Sequence, residues 1–158
     1  MKNIIIYATK HGCTEKAADM LKSKLHGETL LVNIMKEAVP SLEGFDNVML
    51  GGSIYMGRIQ KQLTDYVSKN ISALLNKRMG LFVCAGSPDA AARIKELESS
   101  FPSELYGKAV CKKVFGYEIN YEKLGFLEKT IMKAVKGDKE SVSDISEENI
   151  AVFAKMMS

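Results

Sequence analysis

The chain has 158 residues, 46% hydrophobic and 26% charged, the make-up of one globular domain (1–158) with one sizeable core. Its net charge of +3 and pI near 8.7 are too weak to imply nucleic acid, and no strip of basic and aromatic residues supports such a partner. No apolar run can span a bilayer, and a strand follows the N-terminus where a signal peptide would stand. Cys13, Cys84 and Cys111 are scattered, without a CxxC or Cys/His set for zinc, iron–sulfur or a dithiol, so a reducing cytoplasm is the simplest location.

The elements alternate strand and helix from end to end. A β-branched apolar run predicts strand one over Asn3–Ala8. Helix one follows over Thr14–His26, with Ala17, Leu21 and Leu25 on one face and Gly27 as its stop. Strand two is expected at Thr29–Ile34. Strand three is expected at Asn47–Leu50, running into Gly51-Gly52-Ser53. Helix two is expected from Arg58, with Ile59, Leu63, Tyr66, Val67 and Leu74 as its buried stripe. Met79–Cys84 reads as strand four, closed by Ala85-Gly86-Ser87-Pro88. A helix over Asp89–Ser99 takes Asp89 as N-cap, and Ala109–Tyr117 is strand five. Helices over Leu124–Lys136 and Ser146–Met157 finish the chain.

This alternation predicts an α/β fold: a doubly wound, five-stranded parallel sheet in the order 2-1-3-4-5 with helices on both faces. Ligands of such sheets lie beyond the carboxyl ends of the strands, at the switch point between strands one and three. Three loops meet there, Thr9–Thr14, Ser53–Gly57 and Ala85–Pro88, all rich in small, hydroxyl or glycine residues. In the first, a strand stops at Thr9, Gly12 lets the backbone turn, and a helix begins at Thr14. Exposed N–H groups and the positive end of the helix dipole make that junction a phosphate site. The loop lacks the GxxxxGK[ST] of a nucleotide triphosphatase and the GxGxxG of a dinucleotide fold. Asn33 stands where a ribose-binding acid would close strand two, and the strand ends lack the acidic cluster of a phosphoryl receiver. A mononucleotide with one terminal phosphate remains.

Thr9-Lys10-His11-Gly12-Cys13-Thr14 resembles the flavodoxin phosphate loop, with His11 in place of the usual second hydroxyl and Cys13 in place of a common Asn. The resemblance implies a flavodoxin-like fold and FMN. It assigns the phosphate to Thr9, Thr14 and the amides of His11 to Thr14, Lys10 included in the loop. Gly51-Gly52-Ser53-Ile54-Tyr55-Met56-Gly57 looks like the second flavin loop. There Tyr55 or Met56 would cover the isoalloxazine ring, and Gly57 is the glycine whose peptide turns toward flavin N5 on reduction. Ala85-Gly86-Ser87 matches the third loop in place, although flavodoxins often carry an aromatic there.

The flavodoxin-like, quinone-dependent protoporphyrinogen oxidases are similar too, in Gly-x-Ser-Ile-x-x-Gly and in the stretch from Gly116-Tyr117 to Gly137. That subfamily carries a longer, basic insertion after strand four, whereas Asp89 to Tyr106 is short and mixed in charge. Three functions follow: an FMN-binding electron carrier serving a redox partner protein; an oxidase passing electrons from porphyrinogen through FMN to a quinone; and a flavin-free interaction domain, against which the intact phosphate loop argues. A slightly basic chain suits an acidic partner, porphyrin carboxylates or an anionic membrane surface. Lys112, Lys113 and Lys123 are the cations expected near strand five and its exit.

His11 supplies a backbone amide more readily than a catalytic base. Cys13 stands near a helix N-terminus, where a thiol pKa falls, but with no resolving cysteine in its vicinity it reads as a loop residue. Cys84 and Cys111 read as core. Leu124, Leu127, Ile131 and Val135, with Lys123, Lys129, Lys133 and Lys136, read as a helix covering the sheet ahead of a peripheral membrane helix.

Overall fold

The computed structural model describes residues 1–119 and 142–158. The helix expected at Leu124–Lys136, its lysines, Lys123 and most of the Gly116–Gly137 stretch lie outside the described residues. Five strands, β1 (Lys2–Tyr7), β2 (Glu28–Asn33), β3 (Asn47–Ser53), β4 (Arg78–Cys84) and β5 (Cys111–Val114), form a parallel sheet in the order β2-β1-β3-β4-β5. This is the predicted order, with its switch point between β1 and β3.

Period-two alternation along the strands divides the core in two. Ile4, Ile6, Val48, Leu50, Leu81 and Val83 face one side. There they meet α2 (Lys61–Lys69), α3 (Ile71–Leu75), α4 (Ala90–Ser99) and α5 (Ser103–Lys108) through Leu63, Val67, Leu74, Leu97 and Leu105. Ile5, Tyr7, Met49, Phe82 and Cys84 face the other side, under α1 (Cys13–Lys24) and α6 (Glu147–Met157). There Phe82 stacks on Phe115 with centroids 4.6 Å apart, and Phe153 of α6 meets both rings edge-on. Gly51 lies opposite Phe82 in register, and a Cβ at Gly51 would enter that ring. The absence of a side chain on β3 is what admits the aromatic cluster.

The amino-terminal ends of the central strands are closed by polar groups. Asn47 donates to Asn3 Oδ1 at 2.7 Å and to the Met157 carbonyl at 3.2 Å. The Arg78 guanidinium donates to the carbonyls of Met156 and Met157. A cation and an amide thus satisfy the last carbonyls of α6.

Four expectations need correction. Helix two begins at Lys61, because Tyr55 to Arg58 is taken up by a turn; Ile59 packs from the loop before the helix. Its expected span breaks at Asn70, whose φ of −120° leaves the helical range and separates α2 from α3. The connection to β5 gains a short helix, α5, after Pro102. Strand five also ends sooner as a regular strand. Pairing with β4 persists through Phe115 N–H to Val83 O and Ala85 N–H to Gly116 O, both 2.9 Å. Gly116, at φ +84°, then redirects the chain into β6 (Gly116–Ile119), which pairs antiparallel with β7 (Val142–Ile145). A Cβ at Gly116 would strike the Asp144 carbonyl, so the redirection requires glycine.

Tyr7 ends β1 and is almost fully buried, and its phenol is pushed up to about 12 by burial first and by Glu15, Asp19 and Glu37 second. The unfolded chain ionises this group from about pH 10, two units before the folded chain does. Its contribution to stability is therefore whole below pH 10 and declines as pH rises toward 12. Chemical denaturation at stepwise pH should show a smaller alkaline loss in Tyr7→Phe than in the parent; identical losses would remove Tyr7 from this account.

Candidate functional site

The loops after β1, β3 and β4 converge at the carboxyl end of the sheet. The first is a tight bend. Gly12 N–H donates to Thr9 Oγ1 at 2.9 Å, and Gly12 itself, at φ +91°, occupies the N-cap position of α1. The left-handed conformation favours glycine there, and its missing Cβ would meet nothing within 4 Å. No side chain caps α1, as none caps α2, α3 or α5, whereas Asp89 caps α4 through Ala91 N–H at 3.0 Å and Ser146 caps α6 through Asn149 N–H at 3.2 Å. The first-turn amides of α1 thus lack the usual side-chain acceptor.

Thr14 is fully buried in that first turn, and its Oγ1 makes no hydrogen bond of ordinary geometry among the described residues. It stands close enough to the Cys84 thiol to favour the thiolate there, a weaker relation than a hydrogen bond to oxygen. A buried hydroxyl in this condition costs about 1–3 kcal/mol. It is a donor placed beside the helix N-terminus, behind an open left-handed glycine.

The second loop is a two-residue hairpin turn. Tyr55 and Arg58 exchange backbone hydrogen bonds of 2.8 and 3.1 Å around Met56 (φ +53°) and Gly57 (φ +78°), the two positive values of a I′ turn. Met56 is exposed at the tip, 69% accessible. Tyr55 is half-buried and reaches the first loop, where the Lys10 ammonium sits 3.6 Å from its ring centroid and His11 lies edge-on at 6.4 Å. Ser53 is held by Gln60: its N–H donates to Gln60 Oε1 at 3.1 Å and its hydroxyl accepts from Gln60 Nε2 at 2.8 Å. Ile54 N–H donates to the Cys84 carbonyl at 2.8 Å, tying this loop to the end of β4. In the third loop Ala85 is buried, Gly86 and Ser87 are half-buried, and Arg93 reaches back to the Ser87 carbonyl.

The structure therefore brings Lys10 and His11 of the first loop against Tyr55, ties Ser53 to Gln60 and joins Ile54 to the end of β4. Met56 and Gly57 project from the group, and Gly86 and Ser87 border it on the β4 side. Sequence reading missed two participants. Gln60 belongs to no motif and is recognised only by its two bonds to Ser53. Cys84, assigned to the core, is a partner of Cys13, contrary to the expectation that Cys13 has no second thiol nearby. The nearness of the two thiols, with the Glu118 amide and Lys16, outweighs burial and lowers the Cys13 pKa; the same nearness and burial raise that of Cys84.

The flavodoxin-domain family profile matches residues 4–146, most of the chain. The chain belongs to the flavodoxin-domain family. An uncharacterized protein of Methanocaldococcus jannaschii is 30% identical over 124 residues, covering 75% of this chain and 80% of that one. Among solved structures, flavodoxin 1 of Bacillus cereus is 17% identical with a TM-score of 0.62, covering 99% of this chain and 97% of that one. A short-chain flavodoxin associated with a non-canonical PDU bacterial microcompartment is 13% identical with a TM-score of 0.63, covering 99% and 96%. A Fusobacterium nucleatum flavodoxin bound to flavin mononucleotide is 16% identical with a TM-score of 0.54, covering 98% and 95%. At these identities the solved structures establish the flavodoxin fold of this chain. No helix among the described residues is long and apolar enough to cross a membrane.

The Thr14 hydroxyl gives the site a stability signature. Thr14→Val keeps the shape and removes the unpartnered group. Without ligand it should raise unfolding free energy by about 1–3 kcal/mol in urea titrations. A variant less stable than the parent would show that Thr14 has a partner within the chain.

Proposed function

We propose that this chain is an FMN-binding electron-transfer protein, with the FMN phosphate held at the start of α1. The observation that carries the reading is the unpartnered, buried Thr14 hydroxyl at a helix N-terminus that no side chain caps. The residues fit a phosphate. Thr14 has a hydroxyl proton to give. Thr9 accepts from Gly12 and keeps its own proton for another acceptor. The amides from His11 to Thr14 lie in the bend and first turn, and Lys10 carries a positive charge on the same loop. Bound FMN supplies one- and two-electron redox chemistry.

The chain's own residues bind and orient the group. Tyr55 offers a ring to a flat aromatic ligand; one face is taken by Lys10, so the ligand meets the other face or displaces the ammonium. Gln60 fixes Ser53 and so sets the height of the second loop over the sheet. Gly57, left-handed with open space where a Cβ would lie, can take either backbone orientation, and turning its peptide toward a ring edge would break the Arg58 N–H bond to the Tyr55 carbonyl. Ala85 to Ser87 would border the ring on the β4 side. No acid–base set is required, because the work is retention of the cofactor and tuning of its potential.

The finer assignment, porphyrinogen oxidation with a quinone as acceptor, has its support in the sequence resemblance. The connection from β4 to β5 is taken up by α4 and α5, and Lys112 lies over the Tyr106 ring, 4.6 Å from its centroid. These observations favour a carrier exchanging electrons with a redox partner protein. Anaerobic incubation of the FMN-loaded protein with porphyrinogen and menaquinone, beside a flavodoxin reductase, separates the two. Reduction by the reductase alone supports the carrier, and quinone-dependent porphyrinogen turnover supports the oxidase.

Equilibrium titration with FMN should give one site per chain, weakened in Thr14→Val by on the order of 1.5–3 kcal/mol through loss of a bond to a charged acceptor. Equal affinity in the two proteins would move the phosphate elsewhere. Tyr55→Ala should raise the fluorescence of bound flavin, since stacking on an aromatic ring quenches it. Unaltered fluorescence would leave the ring covered by Met56 or uncovered.

A further inference from the structure

The side chains of Cys13 and Cys84 have no part in the reading above, which uses only the Cys13 amide, yet the two thiols form the best-defined reactive pair among the described residues. Cys13 is the first residue of the twelve-residue helix α1, and Cys84 is the last residue of β4. Both are free thiols in one buried cluster that also holds Tyr7 and Phe115. The Cys13 sulfur accepts a hydrogen bond from Glu118 N–H at 3.2 Å, and Glu118 is held by Lys16 Nζ at 2.7 Å, one turn into the same helix. The Cys84 thiol lies near enough to Cys13 for each to shift the other's pKa. Cys13 is the more accessible of the two, at 7% against 2% for Cys84. One sulfur is thus supplied with donors at a helix N-terminus, and a second thiol stands behind it. That is the division of labour between an attacking and a resolving cysteine.

We propose that Cys13 and Cys84 are a redox-active dithiol that a small-molecule disulfide oxidises to an intrachain disulfide. The Cys13 thiolate attacks one sulfur of the oxidant, forming a mixed disulfide and releasing the first thiolate. Cys84 loses its proton and attacks Cys13 Sγ, releasing the second. Two protein thiols are oxidised, one external disulfide is reduced to two thiols, and the Cys84 proton leaves with the second of them. Closure brings the sulfurs to about 2.05 Å. Cys111 belongs to the same cluster but plays no part: it pairs with Gly80, well back along β4 from Cys84.

The test uses the full chain without added flavin, so its result is independent of the cofactor reading. Protein is equilibrated with oxidised glutathione under argon, acid-quenched, alkylated after denaturation and mapped by mass spectrometry without reduction. The parent should lose two alkylatable thiols and yield a Cys13–Cys84 cross-linked peptide, and Cys111→Ser should do the same. Cys84→Ser and Cys84→Ala should instead stop with glutathione on Cys13. Cys13→Ser should give neither product. The proposal is overturned if the parent accumulates the glutathione adduct with Cys84 still alkylatable, if Cys111 enters the cross-link, or if Cys13 stays unmodified while the urea-unfolded chain reacts.

Discussion

Helix α1 starts without a side-chain cap, and the carboxyl edge of the sheet is arranged around that deficit. The first amides of any helix need acceptors. Here Gly12 fills the N-cap position in a left-handed conformation and offers no side-chain oxygen. Thr9, which is placed to supply one, is already bound to Gly12 N–H. The helix end thus retains unspent donor capacity and a positive partial charge, and whatever lies within a turn of it is affected. Thr14 carries a buried hydroxyl with no ordinary partner, and Cys13 carries a thiol whose pKa is lowered by Cys84, the Glu118 amide and Lys16. An Asp or Ser cap would stabilise the helix and take up the donors that the proposed phosphate needs.

The remaining architecture holds that edge still. Gly51 gives up a side chain on β3 so that Phe82, Phe115 and Phe153 can lock β4, the end of β5 and α6 together. Those contacts fix the level at which β4 ends and therefore where Cys84 meets α1. On the other face, a Cβ at Gly52 would collide with Ile59 and Gln60. The bare backbone lets Gln60 come close enough to make two bonds to Ser53. The hairpin turn at Met56 and Gly57 then swings Tyr55 toward Lys10. One missing side chain seats the core, and the next seats the loop.

The parallel sheet was legible because its strands are short apolar runs with β-branched residues, separated by helices of clear periodicity. β1 and β4 were placed within a residue or two, and the Asp89 cap was read from its residue type alone. What was missed has no periodic signature. The break at Asn70 is a change in one backbone angle inside an otherwise amphipathic stretch. The β6–β7 ribbon pairs residues separated by the 120–141 segment, and it depends on Gly116 turning left-handed at a position that reads as strand interior. At the candidate site, the glycine and hydroxyl pattern indicated an anion-binding bend. Gln60 and Cys84 act through tertiary proximity, which spacing along the chain does not encode.

The two uses argued for the start of α1 are electrostatically linked. A phosphate on the His11–Thr14 amides and a thiolate on Cys13 draw on the same helix terminus. Two like charges a few ångströms apart oppose each other by on the order of 1 kcal/mol or more at the dielectric of a protein surface. Occupancy by phosphate therefore raises the Cys13 pKa, and ionised Cys13 weakens phosphate binding by the same factor, since the coupling is reciprocal. A disulfide with Cys84 carries no charge and removes the competition, leaving only the geometric demand of the bridge on the Gly12–Thr14 backbone. Charge favours phosphate binding to the oxidised pair, whereas strain in the bend opposes it. Thr14 lies next to Cys13 on the same turn and near Cys84 across it, so the balance is set there: a hydroxyl that can turn from the Cys84 sulfur toward a phosphate oxygen gains a stronger acceptor as soon as the thiolate is gone.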